Sequence, residues 1–169
     1  MAEKYFGGVL PEEKQGGEHD SELIEAAGAL RDAYQEQMDK YAFQSAIVEV
    51  FKVLARANKY IDETEPWVLA KDETKKPRLA MVLYNLLETI RICTVLLTPF
   101  IPDSCKKIFE QIGADSNITT WDSAARFGKL PVLRFCQEGS GHISAYRYGK
   151  ELAELEKAEE ERRNGSSAD

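Results

Sequence analysis

The stretch that most restricts the fold is "RLAMVLYNLLETIRICTVLLTPF", which spans residues 78–100. Its apolar residues occur on most sides of a helix rather than on one, which is typical of a helix that neighbours cover all round. Pro77 precedes it and Pro99 lies near its end, as expected for helix boundaries. We therefore predict a central helix, and the rest of the chain must supply the helices that bury it.

Two amphipathic segments come before this central helix. In "SELIEAAGALRDAYQEQMDKY", which Asp20 or Ser21 could cap, apolar residues recur at helical spacing. They form one stripe of Leu23, Ala27, Leu30, Tyr34 and Met38. A second helix is predicted from about Tyr41 to Glu63, with Asn58 on its apolar face. The other members of that face are Phe43, Ile47, Val50, Phe51, Leu54 and Ile61.

The remaining segments complete an all-α chain. "PDSCKKIFEQIG" predicts a short helix over 102–113 with Gly113 as its C-cap. No segment before Gly113 has the alternating pattern of a strand. We predict an antiparallel helical bundle of about four helices over residues 1–131, an irregular segment at 132–149 and an acidic helical tail at 150–169.

Composition excludes several classes of protein. The 169 residues are 43% hydrophobic and 30% charged, which suits one globular domain. We find no apolar run of the roughly 20 residues that a membrane span needs and no signal peptide, so we expect a cytoplasmic protein. Three cysteines and two histidines without a CxxC pair argue against a zinc site and a disulfide framework.

The charge is acidic overall but unevenly distributed. The net charge is −7, yet residues 31–149 contain sixteen basic and fifteen acidic residues. The excess acidity therefore lies near the two ends of the chain. A local phosphate-facing patch in the middle is compatible with this distribution, although the global charge is no argument for RNA binding.

The segment "RANKYIDETEPWVLAKD", residues 56–72, places Trp67 at the charged exit of the second helix. Two interpretations are open. Trp67 packs under the helix end as an apolar plug, or it presents a face on which a single-stranded RNA base stacks. In the second interpretation, the nearby basic residues are candidate phosphate contacts: Lys59, Lys71, Lys75, Lys76 and Arg78.

Two polar residues come before this tryptophan. Asn58 makes a satisfied helix–helix hydrogen bond or belongs to a binding site, and the sequence leaves both open. Asp62 lies near a helix C-terminus, where a carboxylate opposes the helix dipole, so we expect it to have a partner. Together with Pro66, these residues are predicted to fix the helix exit and to aim Trp67.

Four segments resemble one known family. "RANKYIDETEPWVLAKD" closely resembles the signature segment of the anticodon-binding domain of methionyl-tRNA synthetases. "KYFGGVLP", "RLAMVLYNLLETIRICTVLLTPFIPDSCKKIFEQIG" and "TTWDSAARFGKLP" resemble its first loop, its central and following helices, and a tryptophan-containing loop. The resemblance covers residues 4–131, and the Pro-Trp-x-Leu-Ala-Lys stretch distinguishes the methionine enzymes from synthetases that share the bundle.

This resemblance implies a function. Trp67 would stack on a base of the CAU anticodon, supported by Asn58, Asp62 and Pro66, and the partner would be a methionine tRNA. The parent enzyme is a class I ligase that uses ATP and Mg. Its His-Ile-Gly-His-like and Lys-Met-Ser-Lys-Ser-like motifs do not occur here. We therefore expect no catalytic residue and no cofactor in this chain, with the missing catalytic domain as a further partner.

The resemblance also indicates a fragment. The family has a preceding helix whose Asn and Arg hydrogen-bond to anticodon bases; that helix is absent, which would make Met1 an internal methionine and expose apolar surface. The family's acidic linkers often lead to a further C-terminal domain, through which a homodimer could form. Residues 132–149 depart from the family. They are either a genuine divergent loop or a segment in which a one-nucleotide shift would restore the family's sequence Phe-Pro-Arg-Ile-Asp-Met-Glu-Lys. If the shift hypothesis holds, this segment should be poorly ordered.

Two other functions are compatible with the sequence. The chain could be a free-standing tRNA-binding or assembly module without catalysis. It could also be a helical bundle with no role in RNA binding, in which case Trp67 would be a buried side chain that contributes to stability.

Overall fold

The computed structural model describes residues 5–6, 10–11 and 13–131, and four long helices and one short helix lie between residues 13 and 131. They are α1 (Asp20–Asp39), α2 (Phe43–Thr64), α3 (Pro66–Leu69), α4 (Lys76–Leu97) and α5 (Pro102–Ile112). Two 3-10 turns, Glu73–Lys75 and Asp122–Ala125, complete the regular structure, and these residues contain no strand. The all-α prediction is confirmed. The predicted irregular segment and acidic tail lie outside the described residues.

Helix α4 is the central helix, as predicted. It packs against α1, α2 and α5, and Ile92, Cys93 and Leu96 lie in its buried face. The expectation that no apolar run reaches membrane-spanning length is wrong for this helix, because Glu73–Leu97 passes that test by length and composition. Its most apolar window is 72% buried, so the bundle itself covers the apolar residues.

Helix α1 has the predicted buried stripe but not the predicted cap. Leu23, Ala27, Leu30 and Tyr34 are buried, and Met38 is half-buried. The helix begins at Asp20 without a side-chain cap. The Asp20 carboxylate instead accepts a hydrogen bond from the backbone N–H of Gly17 at 3.0 Å and binds groups on other helices.

The buried face of α2 differs from the predicted one. The buried residues are Ala46, Val50, Val53, Ala57 and Tyr60. Phe43 and Phe51, which were expected inside, are 48% and 58% exposed, and Asn58 is exposed as well. The helix carries two adjacent apolar stripes. The one with small alanines is buried against α1 and α4, because small side chains let helices approach closely.

A buried polar network joins three helices at the end of the bundle where α3 lies. Arg78 donates to both oxygens of Asp20 at 2.7 Å, and the Tyr60 hydroxyl donates to Asp20 Oδ1 at 2.6 Å. Asn85 Nδ2 donates to the Tyr60 oxygen at 3.2 Å. Burial alone would raise the pKa of Asp20, but the hydrogen bonds from Arg78 and Tyr60 outweigh it and hold that pKa below its ordinary value of 3.8.

This network predicts a pH dependence of stability. Because the folded-state pKa of Asp20 is lowered, its stabilisation is present above the unfolded-state pKa and is lost as the pH falls through the folded-state pKa. We expect Asp20→Asn to reduce the free energy of unfolding at pH 7 by roughly 2 kcal/mol. The difference from the unmodified chain should shrink below pH 3.8, which urea unfolding at several pH values would show. The exposed Asp32→Asn is the matched control; an unchanged gap at low pH contradicts the assignment.

A second buried network holds the segment that follows α5. Glu88 and Arg91 of α4 are fully buried and paired at 2.7 Å. Arg91 donates to three carbonyl oxygens of that segment, those of Ile118, Ser123 and Arg126, at 2.8, 3.2 and 3.1 Å. Glu88 accepts from the backbone N–H groups of Lys129 and Leu130 at 2.8 and 3.1 Å. The pair thus provides hydrogen-bond partners for five backbone groups of this segment in place of water.

Candidate nucleic-acid interface

The site begins at the exit of α2, where one residue ends a helix and starts the next. Glu65 has φ 42° and ψ 61°, in the left-handed region. Its N–H donates to the Ile61 carbonyl at 3.0 Å and ends α2. Its own carbonyl accepts from the N–H groups of Val68 and Leu69 at 2.8 and 3.2 Å, so it also begins α3. Pro66 follows as the first residue of α3, where a missing N–H costs nothing.

Helix α3 has an inner and an outer side. Pro66 is buried, and Leu69 packs against two core clusters, one containing Leu79 and the other Tyr60. Trp67 and Val68 point away from this core and are each 42% exposed. A plug under a helix end would be largely buried, so the exposure of Trp67 favours the stacking interpretation.

Asn58 and Asp62 lie on the exposed side of α2, four residues apart, in the turns that lead to Trp67. Neither side chain has a hydrogen bond or an ion pair with any described residue. The expectation that Asp62 has a partner is therefore wrong, and so is the placement of Asn58 on the buried face. Asn58 and Asp62 therefore do not fix the helix exit through hydrogen bonds or ion pairs within the described part of the chain, and their role in anticodon binding stays a prediction.

The basic residues that were predicted to contact phosphates differ in whether a carboxylate already pairs with them. Lys71 is exposed and pairs with no carboxylate in the described part of the chain. Lys75 lies 3.9 Å from Asp72, and Lys59 lies 3.4 Å from Glu63. Lys76 pairs with Glu73, and Arg78 is held by the buried Asp20. Of the predicted phosphate contacts, Lys71 is therefore the one without a carboxylate partner among the described residues.

Glu63 is the centre of a small charge cluster beside the site. Arg56 lies 2.9 Å from both Glu63 and Glu22, and His19 lies 3.8 Å from Glu63. Burial raises the pKa of Glu63, but Arg56 and Lys59 outweigh that effect and hold this pKa below its ordinary value. Glu63 is thus ionised at neutral pH and neutralises part of the positive charge that the sequence suggested.

Sequence reasoning missed Glu65 and Val68. The only local signal at Glu65 is the following proline, which disfavours a helical conformation in the residue before it. Glycine would have indicated a left-handed residue, and glutamate does not. Val68 has no signal of its own, since its exposure depends on how α3 sits against α4.

The described residues offer little other chemistry. Among them, no group of three or more His, Cys, Asp or Glu side chains could hold a metal ion. Cys93 and Cys105 are buried free thiols, as predicted for small hydrophobic residues. Burial raises the pKa of Cys93 to about 12, which makes it unreactive at neutral pH.

Comparisons with known proteins place the chain in a family. A family described as the anticodon binding domain of methionyl tRNA ligase matches residues 10–162, a range that includes the segment 132–149. The methionine–tRNA ligase of Caldanaerobacter subterraneus is 48% identical over 162 residues, which are 96% of this chain and 25% of that protein. That of Bacillus subtilis is 42% identical over 132 residues, 77% of this chain and 20% of that protein.

A solved structure has the same fold. Mycobacterium tuberculosis methionyl-tRNA synthetase in complex with methionyl-adenylate superposes with a TM-score of 0.75 at 26% identity, over 83% of this chain and 28% of that chain. This chain therefore spans about a quarter of the length of the relatives that it matches. It belongs to the family of anticodon-binding domains of methionyl-tRNA ligases.

Proposed function

We propose that this chain recognises the CAU anticodon of methionine tRNA as part of a ligase that attaches methionine to tRNA with ATP. The proposal rests on the exposure of Trp67. This side chain is 42% exposed on the short helix α3, and Leu69 on the other side of that helix packs against the core. The family description and the names of the relatives support the same role.

The geometry suggests how the bases would be held. The Trp67 ring stacks on one unpaired base, an interaction worth about 1–3 kcal/mol. Asn58 and Asp62 contribute polar groups that no described residue occupies, and Lys71 contacts a phosphate. Lys59 and Lys75 can do the same after leaving their carboxylate partners. Pro66 keeps α3 seated on the core.

The rest of the ligase supplies the chemistry. Activation of methionine, with its ATP and Mg, belongs to the catalytic part of the parent protein, which we propose as a cytoplasmic partner of this chain. The exposed flank of α2 around Phe43 and Phe51 is the surface that a preceding helix of the parent would cover. A homodimer, formed through a further domain of the parent, is part of the same proposal.

Binding to an anticodon stem-loop tests the proposed function. Stacking on Trp67 is tolerant of sequence, whereas hydrogen bonds to base edges discriminate, and we propose that the choice of CAU over other anticodons belongs to the whole ligase. We therefore expect this chain to bind a CAU stem-loop, and a stem-loop with one changed anticodon base, with dissociation constants that agree within about threefold. A fully paired hairpin of the same length is the control and should bind at least about tenfold more weakly. Equal binding to the paired hairpin contradicts the proposal.

A further inference from the structure

Glu65 occupies a backbone conformation that its side chain does not favour. Its φ of 42° lies in the left-handed region, which is strained for residues other than glycine. Pro66 restricts the same residue further, because proline disfavours helical conformations in the residue before it. Strain of this kind persists only where the surroundings impose it, and it occurs often at functional sites.

The side chain of Glu65 does not account for this conformation. It is exposed and makes no hydrogen bond or ion pair with the described residues. Both backbone polar groups of Glu65, in contrast, are hydrogen-bonded. The N–H donates to the Ile61 carbonyl at the end of α2, and the carbonyl accepts from the N–H groups of Val68 and Leu69 at the start of α3. The two dihedral angles of Glu65 therefore set the angle between α2 and α3, and with it the direction of Trp67.

We infer that Glu65 is a positioning residue for Trp67: its restricted backbone fixes the direction of the stacking ring at the expense of local stability. Glycine would relieve the strain but would leave this link free to adopt more conformations. Asparagine tolerates the left-handed region and still carries a Cβ atom. The inference rests on the proposed function, because it assigns Trp67 a direction that matters for RNA.

The variants Glu65→Gly and Glu65→Asn separate backbone freedom from charge, because both remove the carboxylate. With the CAU stem-loop as the probe, Glu65→Asn should bind at least as tightly as the unmodified chain. Glu65→Gly should bind about fivefold more weakly than Glu65→Asn, a factor that corresponds to roughly 1 kcal/mol of lost preorganisation. If Glu65 had only a structural role, the weaker binding of Glu65→Gly would come with a lower melting temperature. We expect no fall in melting temperature that corresponds to the loss of affinity.

Tyr41 provides the matched control. It is the other residue with positive φ, at 58°, among the non-glycine residues that the structure describes, and it lies in the turn between α1 and α2. Tyr41→Gly and Tyr41→Asn change the same backbone feature at a distance from Trp67, so their dissociation constants should agree with each other.

A second readout does not need RNA. In a Trp121→Phe background Trp67 is the only tryptophan of the chain, and its time-resolved fluorescence anisotropy reports local motion. Glu65→Gly should show faster local rotation than Glu65→Asn. The inference is overturned if Glu65→Gly and Glu65→Asn show equal rotation of Trp67 and equal affinity for the stem-loop. It is also overturned if both variants lose the same affinity relative to the unmodified chain, because the effect would then come from the missing carboxylate. If Trp67→Ala leaves RNA binding unchanged, the proposed function fails, and the anisotropy alone decides whether Glu65 positions the ring.

Discussion

Replacing Arg91 with methionine should destabilise the chain by about 3–5 kcal/mol, the largest effect on stability that we expect from a single substitution. The change removes the partner of the fully buried Glu88 carboxylate and leaves that charge without compensation. It also takes away the donors that three backbone carbonyls of the segment after α5 share. Urea unfolding, followed by circular dichroism, measures the loss.

The surface pair of Lys40 and Glu36 gives the control, because it also joins a basic and an acidic side chain in neighbouring helical turns but is exposed. Lys40→Met should leave the unfolding midpoint almost unchanged. The double variant Glu88→Gln/Arg91→Met should lose less stability than the sum of the two single variants, since it no longer buries an unpaired charge. A loss below about 1 kcal/mol for Arg91→Met would show that the buried pair does not hold the segment.

Replacing Trp67 with alanine should weaken binding of a CAU stem-loop by roughly 5- to 150-fold, which corresponds to the 1–3 kcal/mol of one base stacked on an aromatic ring. Stability should fall little, because the ring is partly exposed and α3 is anchored by Pro66 and Leu69 instead. Trp67→Phe keeps an aromatic face and should bind with intermediate affinity. Equilibrium titration and thermal unfolding of the same preparations give both quantities.

Trp121 is the matched control for this substitution. It is the other tryptophan, is 40% exposed, and lies 5.9 Å from the ring of Tyr34, a residue of α1. Trp121→Phe should leave the affinity for the stem-loop unchanged. The reverse pattern, in which Trp67→Ala lowers stability and leaves RNA binding intact, would identify Trp67 as a structural residue of a bundle without a role in RNA binding.

The features that could be predicted from sequence are those with a local cause. Proline and glycine mark helix boundaries through their own backbone preferences, and Gly113 ends α5 with φ 65° as expected. The stripe of α1 and the central position of α4 follow from apolar spacing, because one pattern dominates in each. Helix α2 has two apolar stripes, and the sequence alone does not say which one the neighbouring helices cover.

The features that could not be predicted depend on residues that are distant in sequence. Asp20 is a good helix cap by local rules, but Arg78, fifty-eight positions away, binds both of its oxygens. Asp62 was expected to need a partner near the helix end, yet exposure to water makes one unnecessary. For the candidate site, the sequence located Trp67 and the basic residues around it, and the structure added Glu65, which sets the direction of the ring.

The most direct test of the account is the fluorescence of Trp67 during titration of the Trp121→Phe chain with a CAU stem-loop. Stacking of a base on the indole ring should quench this emission in a saturable manner, and the half-saturation point should agree with the dissociation constant from an independent binding assay. Binding of the stem-loop without any change in Trp67 emission would contradict the central claim, because the RNA would then contact the chain at another surface.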